Sequence, residues 1–115
     1  MADAPPTLAQ IHAALRDHLT AARRDPAAHC LTFCGALTAH HCNEDGAFPR
    51  LERELPESAP LLRQLREEHE AIARQVDRLR DDPDPAVALE RLAGELEEHF
   101  ATEERDLVPL LSRLR

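Results

Sequence analysis

The sequence has no lysine, tryptophan or tyrosine, one methionine, three phenylalanines and only three glycines. So little glycine excludes a glycine-rich phosphate loop and argues against a β-sandwich with its many tight turns. Without tyrosine, a tyrosyl radical is not available. Three cysteines, an odd number with no Cys-x-x-Cys spacing, do not make a disulfide framework, and a reducing cytoplasm is the expected location. No apolar run approaches the roughly 18 residues of a membrane-crossing helix, and the start MADAPPTLAQ lacks the charged and apolar regions of a signal peptide. The 14 cationic side chains are all arginine and face 22 carboxylates, a formal net charge of -8. With no basic patch to offset that charge, neither nucleic acid nor an anionic membrane is expected as a partner.

What is present is a helix-former's composition, rich in Leu, Ala, Arg and Glu, in a chain of 115 residues that suits one domain over 1–115. Proline divides it. Pro5-Pro6, Asp25-Pro26, Pro56 to Pro60 and Pro83-Asp84-Pro85 precede four periodic stretches, predicting helices near 7–24, 26–47, 58–80 and 85–113. Thr7 with Gln10 reads as a capping box, and Asp25, Ser58 and Asp84 as N-caps. Short links between long helices favour antiparallel neighbours. The expected fold is all-α, an up-down-up-down antiparallel four-helix bundle with a metal site in its core.

The metal enters because polar residues interrupt the apolar stripes. The third helix carries Leu62, Leu65, His69, Ile72, Val76 and Leu79, and the fourth Leu89, Leu92, Leu96, His99, Glu103 and Leu107 or Leu110. The second carries Phe33, Leu37, His40, Glu44 and Ala47 or Phe48, and the first Leu8, His12, Leu15 and Leu19. Each stripe puts a histidine on the buried face, and two add a glutamate one turn on, about 6 Å along the axis. Burying that many unpaired imidazoles and carboxylates would cost several kcal/mol per ion.

Register brings these residues together. His12 and His40 each lie fourteen residues from Pro26, His40 and His69 are centred inside the Pro49–Pro60 connection, and His69 and His99 on Asp84. Four histidines therefore share one level. His40-x-x-x-Glu44 and His99-x-x-x-Glu103 each place two donors on one helix face. One buried histidine is most simply a hydrogen-bonded core residue. Six donors at one height, two of them carboxylates, suit two adjacent divalent metals and are too many for one tetrahedral zinc. Imidazole with carboxylate suits Fe or Mn.

His12, His40-x-x-x-Glu44, His69 and His99-x-x-x-Glu103 resemble the ligand pattern of hemerythrin-like (HHE cation-binding) domains, as do the paired segments His40-His41…Glu44-Asp45…Phe48-Pro49 and His99-Phe100…Glu103-Glu104…Leu107-Val108-Pro109. The resemblance spans about residues 7–111. It implies a non-haem di-iron centre with an oxo or hydroxo bridge and two carboxylate bridges, Mn or Zn being possible substitutes, which binds O2, NO or peroxide and draws on an unidentified reductant. His12, His40, His69 and His99 would be terminal ligands, with Glu44 and Glu103 bridging. The type proteins carry a further histidine where this chain has Ala73, so an open position on one iron is expected. Their fourth helix closes with an aspartate for which Glu103 or Glu104 is the counterpart.

The reading for the remaining polar residues is plainer. His18 is expected half-exposed or capping and His29 solvated, while His41 with Asp45 forms a rival i, i+4 ligand pair that would have to point between helices and is read at the surface or behind the ligands. Glu97, Glu98, Glu104 and Asp106 read as a solvated face. Cys30, Cys34 and Cys42 read as packing residues or redox-sensitive thiols. Gly35 and Gly94 would serve close helix approach or a small cavity. Leu51 and Leu55 are expected exposed in the long connection. Leu15, Leu37, Leu65, Ile72 and Leu96 would sheathe the metals. Beside the O2-binding reading stand a di-iron enzyme that decomposes peroxide or oxidises a small substrate, and an iron-storage or iron-sensing module. A monomer and a homodimer both fit.

Overall fold

A computed structural model describes residues 6–114, so Pro5 and both extreme ends of the chain lie outside the described residues. Helices α1 (Leu8–Arg24), α2 (Pro26–Glu54), α3 (Ala59–Asp81) and α4 (Ala86–Thr102) pack in sequence, α1 on α2, α2 on α3, α3 on α4, and α4 closes on α1. That is the up-down-up-down bundle, with no strand among the described residues. A 3-10 turn, Pro56–Ser58, leads into α3. After α4 the chain continues through a π turn, Glu103–Leu107, into the short helix α5, Val108–Leu111. No helix among the described residues is long and apolar enough to cross a membrane.

The N-termini explain two of the starts. The Thr7 hydroxyl accepts from the Gln10 amide while the Gln10 side chain accepts from the Thr7 amide, a reciprocal cap. The Asp25 carboxylate accepts from the Ala28 amide at 3.3 Å ahead of α2. The other two expected caps are corrected. Ser58 precedes α3, but its buried hydroxyl caps nothing, because the 3-10 turn already satisfies the local backbone. Pro85, not Asp84, occupies the cap of α4, and the Asp84 amide donates instead to the Asp82 carboxylate.

The larger correction concerns α2, which runs seven residues past the expected end at 47. Pro49 lies inside it, although proline removes a helical N–H and is usually a stop. Packing outweighs that loss. Phe48 and Leu51 beyond the expected end bury against Leu62, Leu65 and Leu107. Leu51 is therefore a core residue and Leu55 is half-buried, rather than an exposed pair in a connection.

The aliphatic core has two parts. Leu15, Leu19, Phe33, Leu37, Ile72, Val76, Leu92, Leu96 and Phe100 belong to the larger, toward the α1–α2 and α3–α4 turns. The smaller lies at the opposite end, around Phe48, Leu62 and Leu107. The polar residues of the stripes form a layer between them.

Gly35 and Gly94 serve no close approach. Both are exposed, and a Cβ at either would meet nothing within 4 Å. Mid-helix glycine costs about 0.5–1 kcal/mol relative to alanine. Gly35→Ala and Gly94→Ala are each expected to raise stability by about that amount and to add in combination, measured by urea unfolding with unchanged m-value.

Candidate metal centre

All six side chains singled out in the sequence converge in the polar layer. His12, His40, His69, His99 and Glu103 are buried, and the Glu44 side chain is nine-tenths buried. A seventh residue joins them. His41, expected at the surface or behind the ligands, is buried, and its ring stacks on His69 at 4.1 Å and meets His99 edge-on at 5.1 Å.

The donors fall into two groups, each with its ligand atoms within 4.8 Å of one another: His41, Glu44, His69 and His99 in one, His12, His40 and Glu103 in the other. The carboxylates span both. Glu44 Oε1 lies 3.1 Å from His40 Nε2 and 3.3 Å from His69 Nε2. Glu103 Oε1 lies 3.1 Å from His12 Nε2 and 3.4 Å from His99 Nε2, with its other oxygen 4.0 Å from His69.

The π turn determines which of Glu103 and Glu104 faces the layer. A π turn holds more residues than an α turn, which keeps Glu103 and Leu107 both facing inward. Its cause is local: Pro109 has no N–H to give Arg105, and the Val108 amide reaches back to the Glu103 carbonyl. Glu104 is then carried outward past His12, whose Nδ1 lies 3.2 Å from it. Two consecutive glutamates thus flank one imidazole. Glu104 is no free solvated residue, because Arg16 also holds it through both carboxylate oxygens.

Two further carboxylates act the same way, and neither role was read from the sequence. Asp45 lies 2.8 Å from His69 Nδ1, pairing with α3 and not with His41, and Glu68 lies 2.7 Å from His99 Nδ1. A carboxylate on Nδ1 fixes that nitrogen as the N–H and leaves Nε2 as a lone-pair donor pointing inward. The only sequence signal was adjacency, since Asp45, Glu68 and Glu104 each neighbour a donor in the chain. His18 is half-buried outside both groups and His29 is exposed.

The layer is poorly satisfied on its own. The Nε2 atoms of His40, His41, His69 and His99, both Glu44 oxygens and Glu103 Oε2 are buried with no hydrogen-bond partner among the described residues, the short N···O approaches lacking hydrogen-bond geometry. Buried polar atoms are almost always paired. Lone pairs converging from imidazoles and carboxylates, with no cysteine among them, fit divalent first-row metal ions.

Burial and neighbouring charge shift the titration of the layer. Burial pushes His12 and His99 down from the ordinary histidine value, against the carboxylates of Glu104 and Glu68, which act upward. Burial, with His69 and His99 beside it, keeps His41 neutral. Burial also lowers His69, but Glu44 and Asp45 outweigh it and raise the net value. Glu103 is driven up to about 11 by burial and by Glu44 next to it.

Of the cysteines, Cys34 is buried and its thiol is pushed up to about 12 by burial and by Cys30 at 3.9 Å, so it packs as a neutral thiol. Cys42 is exposed.

The family model of the hemerythrin HHE cation-binding domain matches residues 6–111. Searches of curated proteins and of solved structures gave no significant match.

The raised Glu103 carboxyl makes a signed prediction. A carboxyl whose folded value lies above its unfolded one weakens the fold as pH rises through the interval between them. Metal-free wild type is therefore expected to lose stability relative to metal-free Glu103→Gln by of order 1 kcal/mol per pH unit between pH 5 and 9. Urea midpoints across that range check it. For the same reason metal uptake at pH 7 should release a proton, detectable in weakly buffered dye solution.

Proposed function

Because this chain belongs to the hemerythrin HHE cation-binding domain family, we propose that its core holds two iron ions and that the protein binds O2, or a related small oxidant such as NO or peroxide, at that pair. The observation that supports it most is the spanning position of Glu44 and Glu103, each lying against histidines of both donor groups. Glu44 and Glu103 would therefore serve as donors to both groups. His12 and His40 would hold one ion, and His41, His69 and His99 the other. Iron supplies the reversible electron transfer that imidazole and carboxylate lack, and a separate reductant restores it.

The protein's own contributions are orientation and exclusion of water. Glu104, Asp45 and Glu68 hold three imidazoles by Nδ1, and Arg16 holds Glu104. Phe100 stacks on His12 at 4.2 Å and Phe48 lies parallel to His69 at 5.9 Å, so both groups have an aromatic wall. Such a dry surround strengthens every charge interaction within it.

A second reading is favoured by one cavity. A groove of about 360 Å³, walled by Leu8, Ile11, Phe48 and Leu107, reaches His40 and Glu44. That volume is in the range of small-molecule sites. It suits a di-iron enzyme that oxidises a small apolar substrate.

Metal analysis of protein from iron-supplemented cells is expected to give two ions per chain, with a reversible visible-band change when O2 is admitted to the reduced protein. Rapid irreversible oxidation would favour the enzyme. His41→Ala, His69→Ala and Glu103→Ala should each lose at least half the metal, and His18→Ala none. Full occupancy in His69→Ala would overturn the assignment. Stripping the metal should lower Tm by roughly 10 °C or more, since a ligand present at a thousand times its Kd contributes about 4 kcal/mol.

A further inference from the structure

Toward the α1–α2 and α3–α4 turns, away from the imidazole–carboxylate layer, the bundle carries a pair of soft donors. Cys30 and Cys34 lie one turn apart on one face of α2, and their sulfurs stand 3.9 Å from each other. Cys34 is buried and Cys30 half-buried. Cys34 precedes His40 by six residues, roughly 9 Å along the axis, and neither cysteine belongs to the donor groups of the layer. An open cleft of about 550 Å³ reaches both sulfurs, lined also by Leu31, Leu79, Arg80 and the prolines of the α3–α4 turn. Two carboxylates stand in its wall, and each is engaged: Asp25 caps α2 at Ala28, and Asp82 accepts the Asp84 amide.

Geometry separates the uses of such a pair. A disulfide needs Cβ atoms about 3.5–4.5 Å apart, whereas residues four apart on a helix hold theirs at about 5–6 Å, so oxidation would have to distort α2. One ion between the sulfurs needs no such distortion. Two metal–sulfur bonds of about 2.3 Å span up to about 4.6 Å, a separation that side-chain rotation alone reaches from 3.9 Å. Coordination number decides which ion. Structural zinc takes four ligands, and neither group of three or more donors among the described residues includes a cysteine. Cu(I), a soft ion that thiolates select, is satisfied by two of them. Two thiolates around a monovalent ion leave one negative charge, and the Arg80 guanidinium, which favours the ionised form of Cys34, offsets it. The aliphatic walls and the burial of Cys34 suit an ion that keeps no water in its shell.

We propose that Cys30 and Cys34 form a second metal site, a two-sulfur clasp for a soft monovalent cation of the Cu(I) type, separate from the imidazole–carboxylate layer and independent of its function. Each sulfur gives a lone pair to the ion, both thiol protons leave to water, and no electron changes hands. The two sites then sort metals by softness, thiolate at one level of α2 and imidazole with carboxylate at the other.

Anaerobic titration of the full chain with Cu(I), in competition with bathocuproine disulfonate, tests the site. Wild type should hold one Cu(I) per chain against the chelator, with two sulfur neighbours in copper X-ray absorption and no loss of any metal already in the layer. Cys30→Ser and Cys34→Ala should each weaken the competition roughly a hundredfold or more, since each removes the second arm of a chelate. Cys42→Ser should match wild type. Cys34 is in the core, so if its variant does not fold, the half-buried Cys30→Ser decides alone, with circular dichroism as the check on its fold. Failure of wild type to compete overturns the site, as does copper held through nitrogen, kept in full by Cys30→Ser or lost in Cys42→Ser. Sulfur-bound Cu(I) in a chain whose layer takes up no metal supports this site and overturns the reading of the layer alone.

Discussion

The constraint on which the rest of this structure depends is a layer of five imidazoles and two carboxylates laid across the middle of a small bundle. In a low-dielectric interior such a layer opposes folding, since each uncompensated ion costs several kcal/mol. The fold meets that cost by division. Each helix is aliphatic on both sides of its polar step: Leu65 and Ile72 flank His69, and Leu96 and Leu107 flank the His99–Glu103 pair. The two clusters clamp the layer from opposite ends. The extension of α2 past Pro49 belongs to the same arrangement, because without Phe48 and Leu51 the smaller cluster would have no wall on that side.

Orientation within the layer is set from outside it. Along one line, Arg16 holds Glu104, Glu104 approaches His12 Nδ1, and His12 Nε2 faces Glu103, so a half-exposed cation orients a fully buried carboxylate through two intermediates. Arg16 also pairs with Glu97, and its guanidinium lies over Phe100 at 5.2 Å. Exposed ion pairs of this kind add little stability. Their value here is geometric, because they tie α1 to α4 at the height where both contribute donors.

Much of this was legible in the sequence, for a physical reason. Helical period and proline punctuation are local signals, and antiparallel register follows from counting residues to a turn, so the four histidines and Glu44 and Glu103 could be placed at one level without coordinates. What was not legible depended on contacts between helices. Pro49 stays helical because of partners on α3 and beyond α4. The π turn, not the His-x-x-x-Glu spacing alone, decides that Glu103 faces inward and Glu104 sideways. Asp45 and Glu68 look like any exposed helical carboxylates until the neighbouring helix supplies a ring nitrogen. His41 sits one position round from His40, about 100° on an isolated helix, and only the gap beside Ala73 admits it to the core.

That gap connects the departure from the resembled pattern with the geometry. A histidine at position 73 would offer its imidazole from α3; here α2 offers two in succession, and the side chain left at 73 is too small to fill the space between the helices. His41 brings a fifth imidazole to the layer, without the carboxylate that stands behind His69 and His99. An imidazole four residues from His69 would share its helix face and its neighbours. His41 instead arrives beside His40 with no carboxylate behind it, stacked on His69 and edge-on to His99, with a largely apolar cleft on its other side. Stacking fixes the plane of a ring less firmly than a charge-assisted hydrogen bond fixes its direction.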